Sequence, residues 1–265
     1  MDSRLVIDIG NTNTVMGLFS GDEIQARWRL TTRKDVTVDE VVIRVHGLMR
    51  AEGMDPKSVR GIAIASVVPV VDFAWEQALT RIFGVKPQFL DFQNCCGLKL
   101  GYDLPQQIGA DRLANVLGAY KLGYSQGIVI DMGTATTFDI FSDYTYWGGV
   151  ILPGIKSSLR ELVRSASKLM DVELRWPQKV IGKTTDSALQ AGLLYGSLGA
   201  FEFLIEKILR EKPMKNPVII ATGGLANLFE KRSKKVNLVE SDLTLMGLDY
   251  LISNPKIAMK RYSKK

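Results

Sequence analysis

Two short motifs place an aspartate and a glycine directly after an apolar run. Asp8 and Gly10 end a run near the N-terminus, and Asp131 and Gly133 end a second run near the middle of the chain. Such a turn sets a carboxylate and several backbone N–H groups at one sheet edge, and the glycine lets the chain bend where a side chain would collide with a ligand. Magnesium prefers carboxylates and water as ligands. These residues therefore favour binding of a nucleotide phosphate with its magnesium ion.

A hairpin turn alone needs the same residues, so one copy of the motif would be weak support. The two copies are related by a constant offset of 123 residues, which also maps Thr14 onto Thr137. An internal match of this kind indicates two related units. It favours nucleotide binding, with Asp8 holding magnesium directly or through water. Asn11, Thr12 and Thr14 are then placed to hydrogen-bond phosphate oxygens.

A third motif, residues 109–112, has an acid beside a base at the predicted start of a helix. Arg112 and the free backbone amides can hold an anion there, and Asp111 can accept a proton from an alcohol. The alternative is that Asp111 caps the helix while Arg112 forms a surface ion pair. The residues alone leave both interpretations open.

Several other chemistries are disfavoured by the motifs that the sequence lacks. It contains no GxxxxGK[ST] loop, no GxGxxG after a strand, no HRD or DFG set and no GxSxG. Gly182-Lys183-Thr184 resembles the end of a phosphate loop, but the upstream glycine is missing and no apolar strand leads into it. The sole histidine, His46, lies in a helical stretch without Cys or Asp neighbours at ligand spacing. A carboxylate must then perform any proton transfer.

Periodicity predicts the elements that position these motifs. Strands are predicted at 5–10, 15–19, 23–30, 61–68, 127–133, 138–141 and 217–221, and helices at 38–52, 111–122, 187–211 and from about 225. The strand at 217–221 runs into Thr222-Gly223-Gly224, a third glycine turn behind an apolar strand. The pattern predicts a mixed α/β protein.

The length of 265 residues favours two compact lobes that share one cleft, which we predict as residues 1–117 and 118–265. The net charge is +6 and the pI about 9.2. Part of the excess lies at 231–235 and in the tail, at Lys256, Lys260, Arg261, Lys264 and Lys265. We interpret both as solvated surface and predict no nucleic-acid site.

Cys95 and Cys96 are adjacent, which suits neither an ordinary disulfide nor a metal site and fits a reducing cytoplasm. Charged residues interrupt the N-terminus, and we expect no later run of transmembrane length. The predicted location is cytoplasmic, without a membrane partner.

Taken together, the motifs resemble those of the type III pantothenate kinases, within the superfamily of acetate and sugar kinases, Hsp70 and actin. The motifs are Asp8-Ile9-Gly10-Asn11-Thr12, Gly109-Ala110-Asp111-Arg112, Asp131-Met132-Gly133-Thr134-Ala135-Thr136-Thr137, Gly148-Gly149 with Pro153-Gly154, and Ala221-Thr222-Gly223-Gly224. Supporting matches are Ser66-Val67-Val68-Pro69 and the segment 243–248. The resemblance covers residues 6 to about 251. It implies two duplicated actin-like (ribonuclease H-like) lobes, each a mixed β-sheet with flanking helices, with a cleft between them.

The resemblance also implies an activity: ATP-dependent phosphorylation of pantothenate to 4'-phosphopantothenate, the first step of coenzyme A biosynthesis. The implied cofactors are ATP, magnesium and a monovalent cation, potassium or ammonium, and the implied assembly is a homodimer. The matching ATP positions are Asp8, Ile9, Gly10, Asn11, Thr12, Asn13, Thr14, Val15, Thr134, Gly223 and Gly224. The matching pantothenate positions are Tyr102, Gly109, Ala110, Asp111, Arg112 and Thr185.

Within this implied site, Asp111 is the expected general base and Asp131 the ligand of the monovalent cation. Thr185 is expected to reach substrate across the dimer interface, although the neighbouring Thr184 leaves a one-residue ambiguity. Met170, where relatives commonly carry proline, and the basic C-terminal extension depart from the family pattern without touching the proposed chemistry.

Two rival functions remain open at this point. The first is another enzyme on the same scaffold, such as a sugar kinase or a phosphatase acting on polyphosphate, since a fold alone does not fix a function. The second is a binding protein, because some relatives of the family were described as accessory factors for gene regulation. The presence of Asp8, Asp111 and Asp131 together favours catalysis.

Overall fold

The computed structural model describes residues 2–166, 169 and 171–254. Met170 and the basic tail from 255 onwards therefore lie outside the described residues. The strands are β1 (Ser3–Ile9), β2 (Asn13–Ser20), β3 (Glu23–Thr31), β4 (Val59–Ser66), β5 (Gln88–Phe89), β6 (Lys99–Leu100), β7 (Gln126–Met132), β8 (Ala135–Ser142), β9 (Thr145–Pro153), β10 (Val218–Thr222) and β11 (Leu238–Val239). The α-helices are α1 (Val38–Ala51), α2 (Asp72–Phe83), α3 (Ala110–Lys121), α4 (Ile155–Ser165), α5 (Thr185–Glu211), α6 (Ala226–Glu230) and α7 (Leu243–Ser253).

The chain forms two compact units. Unit 1 comprises residues 1–123 together with the C-terminal segment from Asp242, and unit 2 comprises Tyr124–Ser241. The lobe boundary predicted between residues 117 and 118 stays a prediction. Helix α7 belongs to unit 1 although it follows unit 2 in sequence.

Unit 1 contains a five-stranded sheet in the order β3-β2-β1-β4-β5. Strand β1 pairs antiparallel with β2 and parallel with β4, so β1 and β4 end at the same sheet edge. Alternate residues of β1, including Leu5 and Ile7, pack into a core with α1 and α2. The opposite face holds Val6, and a Cβ on Gly17 would contact both Val6 and Leu245 of α7. The sheet is thus covered on both faces.

Helix α7 approaches α3 through two glycines. A Cβ on Gly247 would fall 2.7 Å from the carbonyl carbon of Ala114, and one on Gly118 would fall 3.1 Å from that of Leu243. Real Cβ atoms essentially never come closer than 3.0 Å, so backbone must shift if Gly247 gains a side chain. An ion cluster adds to this packing, because the buried Asp249 of α7 accepts hydrogen bonds from Arg4 and Lys121. The C-terminal helix therefore fixes the position of α3.

Unit 2 repeats this topology, with its own strands in the order β11-β10-β7-β8-β9. Strand β7 pairs antiparallel with β8 and parallel with β10, as β1 does with β2 and β4. Ile128 and Ile130 of β7 pack with Phe201 of α5 and Phe229 of α6 in the core. The bounds of β7 are those of β1 displaced by 123 residues. The predicted duplication and the predicted mixed α/β sheets are confirmed.

Helix α5 corrects one expectation. Its 27 residues make it, within the described part of the chain, the one helix that is long and apolar enough to span a membrane by length and composition. The prediction that no run reaches transmembrane length was therefore wrong. A core helix of a soluble protein passes the same test, and α5 supplies Leu194, Phe201 and Ile205 to the core of unit 2. Only 28% of its most apolar window is buried, so most of that window is not covered by the rest of the described structure.

Three smaller predictions can be compared with the structure. His46 is an exposed residue of α1, as expected for a surface position. Both cysteines are free and buried. Burial, and to a smaller extent the charge of the neighbouring Cys95, raises the pKa of the Cys96 thiol to about 12. The run 231–235 is exposed or half-buried, and Lys235 pairs with Glu206 at 2.8 Å.

Candidate functional site

The first predicted phosphate turn joins β1 to β2 in unit 1. The Gly10 backbone N–H donates to the Asn13 carbonyl at 3.0 Å, which closes a tight turn around the exposed Asn11 and Thr12. Thr14 is buried, and its hydroxyl lies 2.9 Å from that of Thr32. The Thr14 side chain is therefore buried at the turn, whereas Asn11 and Thr12 are accessible to a ligand.

The start of α3 lies at the same sheet edge as this turn. The Val67 N–H, just after β4, donates to the Ile9 carbonyl at 3.0 Å. A Cβ on Gly109 would lie 3.7 Å from a Val67 methyl group. Asp8 alternates with Ile7 and Ile9, so it lies on the sheet face that α3 and α7 cover. The structure thus brings the Asp8 turn and the segment 109–112 to one edge of unit 1.

Asp111 does not cap α3, since the N-cap residue is Gly109 and makes no side-chain cap bond. The Asp111 Oδ1 atom accepts a hydrogen bond from the Arg112 N–H at 2.8 Å. Burial raises the pKa of the Asp111 carboxyl, and the hydrogen bond and charge of Arg112 oppose this effect without cancelling it. Arg112 is itself 6% exposed, so it is not a surface ion-pair residue. The interpretation of this motif as a simple helix cap with a surface pair is therefore wrong.

In unit 2, Asp131 and the glycine turn after β10 lie together. Asp131 pairs with Thr222 across the parallel strands β7 and β10. Gly223 has φ of +89°, and a Cβ there would collide with the Asp131 carboxylate and lie 2.7 Å from the Met132 nitrogen. Glycine is required for two reasons, a positive φ and the close approach of the backbone to Asp131. Gly224 is exposed at the same turn.

The second predicted phosphate turn, Gly133-Thr134, is held in place by hydrogen bonds from the start of α4. The Thr134 carbonyl accepts hydrogen bonds from the Gly154 N–H at 3.1 Å and from the Ser157 hydroxyl at 2.8 Å. A Cβ on Gly154 would lie 2.5 Å from the Gly133 carbonyl oxygen. The Pro153-Gly154 pair gave a sequence signal, because it is one of the motifs that carry the family resemblance, although the contact itself was not predicted. Ser157 gave none, because a serine in the first turn of a helix is common.

The structure assigns different positions to Thr184 and Thr185. Thr184 is the N-cap of α5, and its hydroxyl accepts from the Ser187 N–H at 3.2 Å in a capping box. Thr185 is the exposed first residue of the helix. A Cβ on Gly182 would lie 2.6 Å from the Ala188 Cα, so Gly182 lets the loop approach the helix start. Among the described residues between α4 and α5 there is no strand. This agrees with the rejection of the loop as a phosphate loop of the GxxxxGK[ST] type.

Tyr102 lies half-buried in the irregular segment between β6 and α3. Its role in binding pantothenate stays a prediction. Over the ranges that the structure describes, no group of three or more His, Cys, Asp or Glu side chains is assembled as a metal site. The carboxylates Asp8 and Asp131 are each the acidic member of a separate glycine turn.

The repeated strand order and pairing define the class as an actin-like fold. A putative 2-dehydro-3-deoxygalactonokinase from Sinorhizobium meliloti matches with a TM-score of 0.58 at 13% identity over 97% of both chains. A conserved putative Baf family transcriptional activator from Campylobacter jejuni matches at 0.59 with 20% identity, covering 95% of this chain and 99% of that chain. The ROK hexokinase from Thermus thermophilus gives 0.51 at 12% identity over 96% and 99%. These likenesses confirm the predicted fold.

Sequence comparison gives the particular family. The type III pantothenate kinase family profile matches residues 4–207. A type III pantothenate kinase of Anaeromyxobacter sp. (strain Fw109-5) is 42% identical over 93% of this chain and 97% of its own. Another from Geobacillus sp. (strain WCH70) is 40% identical over 93% and 95%. The chain belongs to the type III pantothenate kinase family.

Proposed function

We propose that this enzyme transfers the γ-phosphoryl group of ATP to the terminal hydroxyl of pantothenate, with Asp111 as general base. The product is 4'-phosphopantothenate, and the reaction is the first step of coenzyme A biosynthesis. Membership of the kinase family supports the reaction. The observation that supports the catalytic residue is the position of Asp111, a carboxylate of raised pKa at the sheet edge that carries the Asp8 turn.

Asp111 is suited to accept a proton from an alcohol. A general base works best when its pKa lies near the working pH, and burial moves the pKa of Asp111 upward from the ordinary carboxyl value. Its Oδ1 atom is held by the Arg112 N–H, which fixes the carboxylate at the helix start. As the hydroxyl oxygen attacks phosphorus, Asp111 takes its proton, and the resulting carboxylic acid suits the partly buried environment.

The neighbouring residues of α3 are proposed to bind the rest of pantothenate. Arg112 supplies a permanent positive charge at a helix N-terminus, where backbone N–H groups also favour an anion. Gly109 and Ala110 present their backbone at the same place, and Tyr102 contributes a phenol to the amide body of the substrate. Pantothenate, with a carboxylate at one end and an alcohol at the other, fits this combination of a cation and a base.

ATP is proposed to be bound by the two duplicated turns. The first is residues 8–15, in which Asn11 and Thr12 are exposed. The second is the Thr134 turn, together with the Gly223-Gly224 turn after β10. Backbone N–H groups at glycine turns suit phosphate oxygens, and phosphoryl transfer depends mainly on such positioning and electrostatic stabilisation.

The donor sets fit the two proposed cations. Magnesium usually keeps several waters and takes one or two protein carboxylates with the substrate phosphates, so Asp8 alone satisfies its protein requirement. Asp131 offers a carboxylate against the Gly223 backbone for potassium or ammonium. When bound, these cations would supply positive charge that offsets the charge of the transferred phosphoryl group.

We propose a cytoplasmic homodimer. Support comes from α5, which leaves most of its apolar window unburied and exposes 57% of Phe203. A second copy packed on this helix would cover such a surface without a membrane. The exposed Thr185 at the start of α5 is then available to contact pantothenate bound by the other subunit, whereas Thr184 is occupied by its cap. The two free cysteines agree with a reducing compartment.

The decisive assay combines the purified protein with ATP, magnesium, potassium and pantothenate, and measures ADP release and phosphopantothenate. Asp111→Asn keeps an acceptor for the Arg112 N–H but removes the base. We expect kcat to fall by about 10² to 10⁴, the usual contribution of a general base, while pantothenate still binds. Asp39→Asn, an exposed carboxylate of α1, is the matched control.

Three results would contradict the proposal. Asp111→Asn turning over at the parental rate would remove the base assignment. ADP release that requires a different alcohol would favour the sugar-kinase alternative. Binding of ATP without turnover of any alcohol would favour the binding-protein alternative.

A further inference from the structure

We infer that Ser157 is a positioning residue for ATP, because its hydroxyl holds the Thr134 turn in the orientation that binds phosphate. The inference rests on the proposed role of Thr134 as an ATP contact and extends it to a residue of another element. Ser157 lies in the first turn of α4, whereas Thr134 lies between β7 and β8. Their hydrogen bond, at 2.8 Å, joins parts of unit 2 that are 23 residues apart in sequence.

The Thr134 carbonyl is held by two donors. The Gly154 N–H occupies one acceptor position and the Ser157 hydroxyl the other. A carbonyl oxygen has two lone pairs, so this group is fully used. The turn is also closed internally by the Gly133 N–H, which donates to the Ala135 carbonyl at 3.0 Å. With both its ends and its central carbonyl fixed, the turn presents the exposed Thr134 in one orientation.

The Ser157 hydroxyl is directed at this carbonyl by its surroundings. The Arg160 Nη2 atom donates to Ser157 Oγ at 3.4 Å, which uses an acceptor position and leaves the hydroxyl proton for Thr134. Ser157 does not perform the usual capping role, because the N-cap of α4 is Gly154 and carries no side-chain cap bond. Its hydroxyl instead donates a hydrogen bond to the Thr134 carbonyl, outside the helix.

The test compares Ser157→Ala with Ser165→Ala. Ser165 lies at the other end of α4, where its hydroxyl donates to Glu161 at 3.2 Å, so the control loses a serine hydroxyl bond in the same helix away from the turn. We expect Ser157→Ala to weaken binding of Mg-ATP and raise its KM by about three- to tenfold, the usual range for one neutral hydrogen bond. The KM for pantothenate should stay at the parental value. Ser157→Thr restores a hydroxyl and should recover most of the affinity.

Binding of a non-hydrolysable ATP analogue is measured by calorimetry, so the result does not depend on turnover of pantothenate. Thermal unfolding of each variant identifies any that fails to fold. If Thr134→Ala weakens analogue binding but Ser157→Ala does not, the inference about Ser157 is wrong while the ATP site stands. If Thr134→Ala has no effect either, the proposed ATP role of the turn is the part that fails. Equal losses in the Ser157 and Ser165 variants, or no recovery by threonine, also overturn the positioning role.

Discussion

The Asp8 turn of unit 1 and the Asp131 turn of unit 2 are built from strands of the same order and pairing, yet different elements surround them. In unit 1 the start of α3 adds a carboxylate of raised pKa at the sheet edge. In unit 2 two glycines, Gly154 and Gly223, bring backbone against the turn and against Asp131. The duplication therefore gives the two turns equivalent supporting strands. Elements outside the repeated hairpins give one turn a neighbouring carboxylate of raised pKa and the other closely packed backbone. We assign the proton acceptor to the first and the monovalent cation to the second.

The largest expected effects come from removing the charge in each turn. Asp8→Asn and Asp131→Asn should each lower kcat by about 10² to 10³, the scale of one lost electrostatic contact at a reaction centre. The two variants should differ in their ion dependence, because Asp8 is assigned to magnesium and Asp131 to the monovalent cation. Rates measured across potassium concentrations should show activation retained in Asp8→Asn and lost in Asp131→Asn. Identical ion responses would remove the distinction between the turns.

Glycine substitution tests the difference in packing. Gly223→Ala forces a Cβ into a left-handed backbone and onto the Asp131 carboxylate, so it should cost roughly 1–3 kcal/mol of stability in addition to activity. In unit 1, a Cβ on Gly10 would meet only the Asn13 carbonyl oxygen, at 3.1 Å, and Gly10 does not have positive φ. Gly10→Ala should therefore be much milder. Urea unfolding of both variants checks this, and a Gly10→Ala loss as large as that of Gly223→Ala would contradict it.

The repeated hairpins were accessible to prediction because their signals are local. Apolar runs ending in Asp-x-Gly predicted β1 and β7, and the common offset of the two motifs indicated the duplication. Apolar residues at helical spacing predicted the long helix at 187–211, and it is observed at Thr185–Glu211. The family match followed from the same motifs. The roles of individual site residues stay predictions.

Contacts between distant elements could not be predicted. Nothing around Gly247 indicates that its helix packs on α3, because a glycine in a helix has the same local pattern whether or not a neighbouring backbone touches it. The bond from Ser157 to Thr134 depends on how α4 leaves β9, which periodicity does not encode. Two-residue strands such as β5 and β11 are too short for an alternating pattern.

The two threonines at the start of α5 provide a smaller test. Thr184→Ala removes an N-cap and should cost about 1 kcal/mol of stability with little change in substrate binding. Thr185→Ala leaves the cap intact and should raise the KM for pantothenate several-fold with parental stability. Thermal unfolding and steady-state kinetics separate the two. A KM effect confined to Thr184→Ala would reverse the assignment.

The smallest expected effect concerns the stability cost of burying the Asp111 carboxyl. Because burial raises its pKa in the folded protein, the folded state holds this proton at pH values where the unfolded chain has already lost it. The associated stability is therefore complete below the ordinary carboxyl pKa and is lost as pH rises through the raised value. Asp111→Asn cannot ionise and escapes this loss. It should melt slightly above the parent at neutral pH, and the difference should disappear in acid.

Asp39→Asn serves as the control in those melts, since it removes an exposed carboxylate whose side chain is 79% accessible. A stabilisation of Asp111→Asn that is the same at acidic and neutral pH would mean that its origin is not ionisation. A destabilisation at neutral pH would mean that the ionised carboxylate is favoured by Arg112 more than burial disfavours it.

In unit 2, Asp131→Asn gives the comparison at the other turn, because there a cation rather than a proton is assigned to the carboxylate. Adding potassium should therefore raise the melting temperature of the parent and of Asp111→Asn, but not that of Asp131→Asn.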